Sequence, residues 1–267
     1  MPKRGKAALI VIAALCLLAV LAPMILPYAP DRIDLDSLKN APGLKHPFGT
    51  DQKGRDVMVR VLAGGRISLG VALVSAVIAM GAGLLVGLLS GYYGGRLDTA
   101  LMAAVDLVLS FPSLLLAIGI SILLPPGIYT VMIAIASVGW ASFARLIRGY
   151  VLSLKESPFV DAARAVGCGN ARIIFRHLMP QCLPLSLVML GLKTGGYIIT
   201  EASLSFLGLG AQPPVASWGS MISAGRSYIL SAPWMVLAPG IAIAVAALSF
   251  NILGDALSER YGMKGGL

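Results

Sequence analysis

Long apolar runs recur along this sequence, and they constrain its fold more than any other feature. A helix needs roughly 20 apolar residues to cross the hydrocarbon core of a bilayer. Runs of that size occupy residues 7–26, 67–91, 98–123, 129–147, 183–203 and 234–253. The composition agrees, since 57% of the residues are hydrophobic and only 12% are charged. Because backbone groups in lipid must satisfy their own hydrogen bonds, runs of this length predict helices. We therefore predict an all-α membrane protein with about six transmembrane helices.

The first run follows three basic residues, Lys3, Arg4 and Lys6, an arrangement that is similar to a signal peptide. The run is longer than the usual apolar region of such a peptide, however, and no small-residue cleavage site follows it. We interpret it as an uncleaved first span that ends near Pro27 and Tyr28.

Basic residues indicate the orientation of the spans, since loops rich in lysine and arginine stay in the cytoplasm. Residues 145–176 carry six basic residues and two acidic ones. We therefore expect a multi-pass protein of the bacterial inner membrane with both termini in the cytoplasm. The loop 28–66 would then lie outside, and its seven basic residues and five aspartates conflict with the simple count.

Several other classes of function are disfavoured by the residues. The net charge of +9 does not predict nucleic-acid binding, because the charges lie between apolar runs and form no polar face. Three scattered cysteines and two distant histidines predict neither a disulfide framework nor a metal site. The phosphate-binding sequence G-x-x-x-x-G-K-[ST] is absent, so the chain has no ATP site of its own. We expect no cofactor and no enzymatic activity in this chain.

The stretch 157–184, which reads SPFVDAARAVGCGNARIIFRHLMPQCLP, is the most informative. Pro158 and Asp161 suit the first turn of a helix, and Gly167 and Gly169 interrupt it. We predict two short helices joined by a glycine turn, the second at 171–178 and ending near Pro180. Together they would form a compact knob at the cytoplasmic face.

This stretch resembles the signature loop of binding-protein-dependent ABC importer permeases, in which Glu-Ala-Ala is followed after three residues by glycine. Here Asp161 stands in place of the glutamate. Three further motifs are HPFGTDQKGRD at 46–56, EASLSFLGLG at 201–210 and NILGDAL at 251–257. As a set they resemble the second permease subunit of the dipeptide, oligopeptide and nickel importers over nearly the whole chain. They do not separate peptide from nickel importers.

The resemblance implies a type I ABC importer permease architecture with a cytoplasmic coupling helix. Residues 157–180, here called the elbow, would contact an ATPase subunit. The implied contact residues are Asp161, Ala162, Ala163, Gly167, Leu178 and Pro180. The implied partners are a second related permease, two ATP-binding subunits that hold ATP and Mg²⁺, an extracytoplasmic substrate-binding protein and the lipid bilayer. The implied division is a first helix with a periplasmic loop at 1–66, a permease core at 67–257 and a cytoplasmic tail at 258–267.

Three ionisable residues fall within the apolar runs, where charges are costly and often functional. They are Asp106, Lys193 and Glu201. Lys193 is expected either to extend toward the membrane surface or to pair with Asp106, and Glu201 to reach the outer interface. Each residue could instead contact substrate. A cation would suit a peptide carboxylate, whereas carboxylates would suit nickel.

The two long outer loops, 28–66 and 204–233, are candidates for contact with a substrate-binding protein. Residues 55–66 alternatively predict an amphipathic helix lying on the membrane surface.

Two other functions remain open. An ion-coupled secondary transporter would need buried acids arranged for coupling, and usually more spans with an internal repeat. A non-transporting membrane scaffold would need no partner ATPase.

Overall fold

The computed structural model describes residues 2–25 and 29–262. The predicted end of the first span, at Pro27 and Tyr28, lies outside these residues. Nine helices occupy most of the described chain. They are α1 (Lys3–Ile25), α2 (Val57–Tyr93), α3 (Gly95–Leu109), α4 (Ser113–Ile122), α5 (Ile128–Leu154), α6 (Pro158–Ala165), α7 (Asn170–Phe206), α8 (Trp218–Gly225) and α9 (Trp234–Arg260). Within the same residues, the one β-bridge joins Thr50 and Asp56.

Five helices, α1, α2, α5, α7 and α9, are long and apolar enough to cross a bilayer. The pair α3 and α4 would make a sixth crossing, although the two helices meet at an angle of 89°. The prediction of about six spans is confirmed, but the run 98–123 is not one helix. Pro112 explains the break, because proline has no N–H to donate and disfavours helical geometry at the residue before it.

Helix α2 begins ten residues earlier than its apolar run suggests. The side chain of Asp56 caps the helix by accepting a hydrogen bond from the amide of Val59 at 2.9 Å. Val57, Val59 and Val61 are almost fully buried, and Val61 belongs to a core cluster shared with α8 and α9. The prediction of a surface helix at 55–66 is therefore wrong. The proposed domain boundary after residue 66 falls inside α2.

Helices α2 and α5 form the most extensive helix–helix contact of the fold. Glycines one helical turn apart on α2 (Gly83, Gly87 and Gly91) face α5 so closely that a Cβ would clash. A Cβ on Gly87 would lie 2.7 Å from the Cβ of Ile147, and one on Gly91 would lie 2.8 Å from the Cβ of Val151. Small residues at such positions let helices pack closely in lipid, where the hydrophobic effect does not drive helices together.

Helix α7 runs unbroken from the elbow to the far side of the fold. The predicted stop near Pro180 is wrong, since the helix passes both Pro180 and Pro184 and ends at Phe206. Its second turn is a π-helix at Ile173–Leu178. A π-helical turn is wider than an α-helical turn. The turn before Pro180 therefore moves away the backbone carbonyl with which the proline ring would otherwise clash.

Candidate functional site

The elbow begins with α6, which lies where α2, α5 and α7 meet. Val160 and Ala163 are buried on one face of α6. They pack in one cluster with Leu88 of α2, Val151 of α5 and Ile173 of α7. The opposite face of α6 is open. The buried face of α6 therefore packs on a cluster to which three long helices contribute.

A tight turn closes α6 and displays an apolar side chain. The amide of Cys168 donates to the carbonyl of Ala163 at 3.0 Å, and Gly167 between them has φ +80°. This is the left-handed conformation that glycine adopts at helix ends at no steric cost. Val166, just before it, is 79% exposed.

The six predicted contact residues divide into two groups. Asp161, Ala162, Gly167 and Pro180 are exposed. Ala163 and Leu178 are buried in the cluster beneath α6, so they hold the elbow in place and present no surface. The side chains of Asp161 and Arg164 form an exposed ion pair at 3.3 Å, which contributes little to stability.

Two polar links join the elbow end of the fold, and the sequence motifs did not reveal them. The hydroxyl of Tyr92, at the end of α2, donates to Oδ1 of Asn170 at 2.8 Å, and the guanidinium of Arg164 lies over the Tyr92 ring at 5.9 Å. Arg148 of α5 donates two hydrogen bonds of 2.6 Å to the carboxylate of Asp98 at the start of α3. Asp98 and Arg148 are fifty residues apart, so no sequence spacing could have paired them.

Asp106 pairs with Arg145 of α5, and both side chains are more than half exposed. The prediction that Asp106 pairs with Lys193 is therefore wrong. The reason is that α3 packs beside α5, which brings Arg145 to the carboxylate instead.

Glu201 is fully buried, so the prediction that it reaches the outer interface is also wrong. Its side chain is 1% exposed and accepts a hydrogen bond from the Ser205 hydroxyl at 2.7 Å. The hydroxyls of Ser68 and Ser217 also face the carboxylate. The loop after α7 folds back over this carboxylate and leads into α8, whose Trp218 amide donates to the Ser68 hydroxyl at 3.1 Å.

A cavity of about 100 Å³ lies beside the break between α3 and α4. Helices α5 and α7 form its other walls, and its lining is mostly apolar. Lys193, Tyr197 and Thr200 point into it from positions i, i+4 and i+7 of α7, which share one helix face. Among the described residues that line this cavity, Lys193 is the only lysine, and no arginine, aspartate or glutamate accompanies it.

The outer loop motif at 46–56 is tightly folded. The carboxylate of Asp51 accepts hydrogen bonds from the amides of Lys53 at 2.8 Å and Arg55 at 3.1 Å, and from Nε of Arg55 at 2.7 Å. The indole of Trp234 on α9 donates to the carbonyl of Thr50 at 3.0 Å. This network gives the loop a defined shape.

Comparison with known families places these features in context. Residues 83–262, more than half of the chain, match the binding-protein-dependent transport system inner membrane component. The chain belongs to this family. Residues 3–42 match the N-terminal transmembrane domain of oligopeptide transport permease C. The permease is thus a multi-pass component of the inner membrane.

Several curated proteins resemble this permease along most of their length. A putative peptide transport system permease protein of Brucella suis is 43% identical over 94% of this chain and 84% of the relative. A dipeptide transport system permease protein of Alkalihalophilus pseudofirmus is 41% identical over 96% and 86%. A glutathione transport system permease protein of Pectobacterium atrosepticum is 40% identical over 91% and 81%.

A solved structure confirms the predicted fold class. An inward-facing structure of the MetNI methionine ABC transporter contains a chain that matches with a TM-score of 0.60. The match covers 76% of the permease and 97% of that chain at 18% identity, so it shows the fold alone. The permease therefore has the type I importer architecture.

Proposed function

We propose that this permease is one translocating subunit of an ATP-driven importer that carries dipeptides or oligopeptides into the cytoplasm. Its peptide substrate is supported by relatives named for peptide, dipeptide and glutathione transport. In this proposal the permease pairs with a second related permease. Two separate ATPase subunits bind ATP and Mg²⁺, and an extracytoplasmic binding protein delivers the peptide.

The observation that carries the proposal is the two-sided packing of α6. Its inner face is fixed to α2, α5 and α7 by Val160 and Ala163. Its outer face presents Asp161, Ala162 and the apolar Val166. A docked ATPase would contact the outer face, and its closure around ATP would shift the helices that the inner face holds.

The chain direction supports a cytoplasmic location for the elbow. Helix α2 ends close to the start of α7, where Tyr92 hydrogen-bonds to Asn170, and Arg164 of α6 lies over the Tyr92 ring. Three exposed arginines, Arg164, Arg172 and Arg176, lie in the elbow, in keeping with the preference of basic loops for the cytoplasm. Six crossings then return both termini to the same side. We also retain 1–66, 67–257 and 258–267 as the proposed functional divisions, although the last five residues lie outside the described chain.

Alternating access is the mechanism that this arrangement suggests. Binding of ATP would favour one of two arrangements of the helices, and hydrolysis would release it. The pathway would lie between this permease and its partner, next to the cavity walls formed by α5 and α7.

Transport of nickel or a metal chelate is a second candidate for the same architecture. The chain that the structure describes contains no group of three histidine, cysteine or acidic side chains that could hold a metal ion. The cavity contributes a cation instead, which would repel a bare metal ion. Ion-coupled secondary transport is a third candidate, and dependence of uptake on ATP and a binding protein would exclude it.

The test is reconstitution of the permease with its partners in proteoliposomes. We expect ATP-dependent uptake of a labelled dipeptide, stimulated by the loaded binding protein. Uptake of nickel without uptake of any peptide would contradict the proposed substrate. Peptide uptake driven by an ion gradient without ATP would contradict the proposed class.

The elbow is tested by two substitutions that replace a highly exposed apolar residue with aspartate. Val166→Asp should prevent co-purification of the ATPase subunits, while Leu44→Asp, in the outer loop, should not. Both side chains are exposed, at 79% and 105%, so neither substitution removes buried packing. Gly167→Trp should likewise abolish uptake and leave membrane insertion intact. Normal uptake by the Gly167→Trp variant would refute the role of the elbow.

A further inference from the structure

The intramembrane cavity combines three features that favour a negative group. First, Lys193 is half-buried on the cavity wall. It forms no hydrogen bond, ion pair or ring contact with any residue that the structure describes. An amine with no partner inside a membrane is costly, and such residues usually face a cavity and mark a substrate path.

Second, Tyr197 lines the same cavity, and its hydroxyl has no hydrogen-bond partner among the described residues. The oxygen is buried, although buried hydroxyls in proteins are nearly always hydrogen-bonded. Gly139 of α5 makes room for it, because a Cβ at that position would collide with the hydroxyl. The Tyr197 hydroxyl is therefore a donor that none of the described residues uses.

Third, the N-terminus of α4 opens at the cavity. Phe111 and Ser113, on either side of the break, both line it. No side chain caps α4, so its first amides and the positive end of its dipole remain available. Broken helices beside a cavity are the membrane arrangement in which helix N-termini meet anionic groups of substrates.

We propose that Lys193, together with the Tyr197 hydroxyl, binds a carboxylate of the peptide during its passage, most directly the carboxylate at the peptide's C-terminus. The ammonium supplies the charge, the hydroxyl donates a hydrogen bond, and the N-terminus of α4 adds a favourable potential. This inference rests on the proposed peptide transport. It assigns one chemical group of the substrate to one place in the pathway.

The spacing on α7 supports joint action by the two side chains. Residues four apart on a helix lie one above the other on one face, so Lys193 and Tyr197 can reach the same carboxylate. Each carboxylate oxygen accepts more than one hydrogen bond. The aliphatic part of the lysine would meanwhile cover the apolar wall formed by Val138 and Ile135.

The first experiment measures uptake by the reconstituted complex. Lys193→Met should lower the uptake of alanyl-alanine at subsaturating substrate by about tenfold or more, which is the loss expected for one hydrogen bond to a charged group. Lys193→Arg should restore most of the rate because it keeps the cation. Uptake by the Lys193→Met variant at the wild-type rate would overturn the proposal.

The second experiment detects the carboxylate directly, without the binding protein. Ser142 lines the cavity beside Lys193, and Ser142→Cys places a reporter thiol there. Alanyl-alanine should slow modification of this thiol by the neutral reagent methyl methanethiosulfonate, and alanyl-alanine amide should slow it less. The difference between the two peptides should vanish when Lys193→Met is added. The complex without Ser142→Cys gives the background from Cys16, Cys168 and Cys182.

Three outcomes would overturn the assignment. The amide could protect the thiol as well as the free peptide does. The difference between the peptides could persist in the Lys193→Met background. The Lys193→Met variant could lose its partner permease during purification, which would show that Lys193 pairs with a carboxylate of the partner. Failure of the proposed function would look different, because the wild-type complex would then take up no peptide.

Discussion

The contact between α2 and α5 depends on a row of glycines, and Gly87→Ala tests it most sharply. The added Cβ would lie 2.7 Å from the Cβ of Ile147 and 2.8 Å from the carbonyl oxygen of Ala144. Carbon atoms prefer separations of about 3.5–4.0 Å. The helices would therefore have to move apart by about 1 Å over this turn.

The expected change in the free energy of unfolding is the sum of two opposing contributions. Overpacking of a tight contact costs about 1–3 kcal/mol. Replacing glycine by alanine inside a helix returns up to about 1 kcal/mol. We expect Gly87→Ala to lower the free energy of unfolding by about 1–2 kcal/mol. Because the same contact supports the cluster under α6, uptake should fall as well.

Gly81→Ala is the matched control, since it makes the same chemical change on the same helix where a Cβ meets nothing within 4 Å. It should leave stability unchanged or raise it by up to about 1 kcal/mol. Both variants are measured by reversible unfolding in mixed micelles with increasing dodecyl sulfate. Equal effects of the two substitutions, or a stabilising Gly87→Ala, would refute the close-packing argument.

Three further predictions concern contacts outside the α2–α5 interface. The first two are measured by the same unfolding assay, and the third is measured by transport. Trp218→Phe should cost about 0.5–1.5 kcal/mol, because it removes the hydrogen bond of 2.8 Å that the indole donates to the carbonyl of Val61; an unchanged midpoint would contradict this. Asp98→Ala should cost about 1–3 kcal/mol by removing both hydrogen bonds from Arg148, and a double variant that also replaces the arginine should cost less than the sum. Gly54→Ala should unfold the outer loop and abolish stimulation by the binding protein, because the new Cβ would overlap a backbone carbonyl; normal stimulation would disprove it.

Hydropathy predicted the helices well where an apolar run and a helix coincide. It could not place the start of α2, since Asp51, Arg55 and Arg60 look like surface residues in sequence. They are nevertheless buried, because Asp51 hydrogen-bonds to Arg55 and lies 3.7 Å from Arg60. A hydropathy scale scores each residue separately, so it cannot account for charged side chains that pair with one another inside the fold.

The elbow was likewise predicted only in part, because tertiary contacts act there as well as local preferences. Pro158 and Gly167 act locally, and they start and end α6 where the sequence indicated. Pro180 also reads as a local stop, but α7 absorbs it through the π-helical turn at Ile173–Leu178 and through packing of Leu178 and Cys182 against α2 and α5. Tertiary contacts outweighed the local preference.

That Lys193 has no partner among the described residues could be anticipated only as one of several alternatives. Whether Asp106 reaches Lys193 depends on the 89° bend between α3 and α4 and on which helix α3 contacts. The Pro112 signal predicts a break but not its angle. The partners of intramembrane charges therefore require three-dimensional information.

The continuity of α7 joins the elbow, where we propose that the ATPase docks, to the cavity. Its first residue, Asn170, lies in the elbow, and Lys193 lies about 35 Å farther along the axis at about 1.5 Å per residue. A tilt of about 10° at the elbow end would carry the ammonium sideways by about 6 Å. Such a displacement exceeds the length of a hydrogen bond, so one movement at the elbow end would be enough to release a carboxylate bound as we propose.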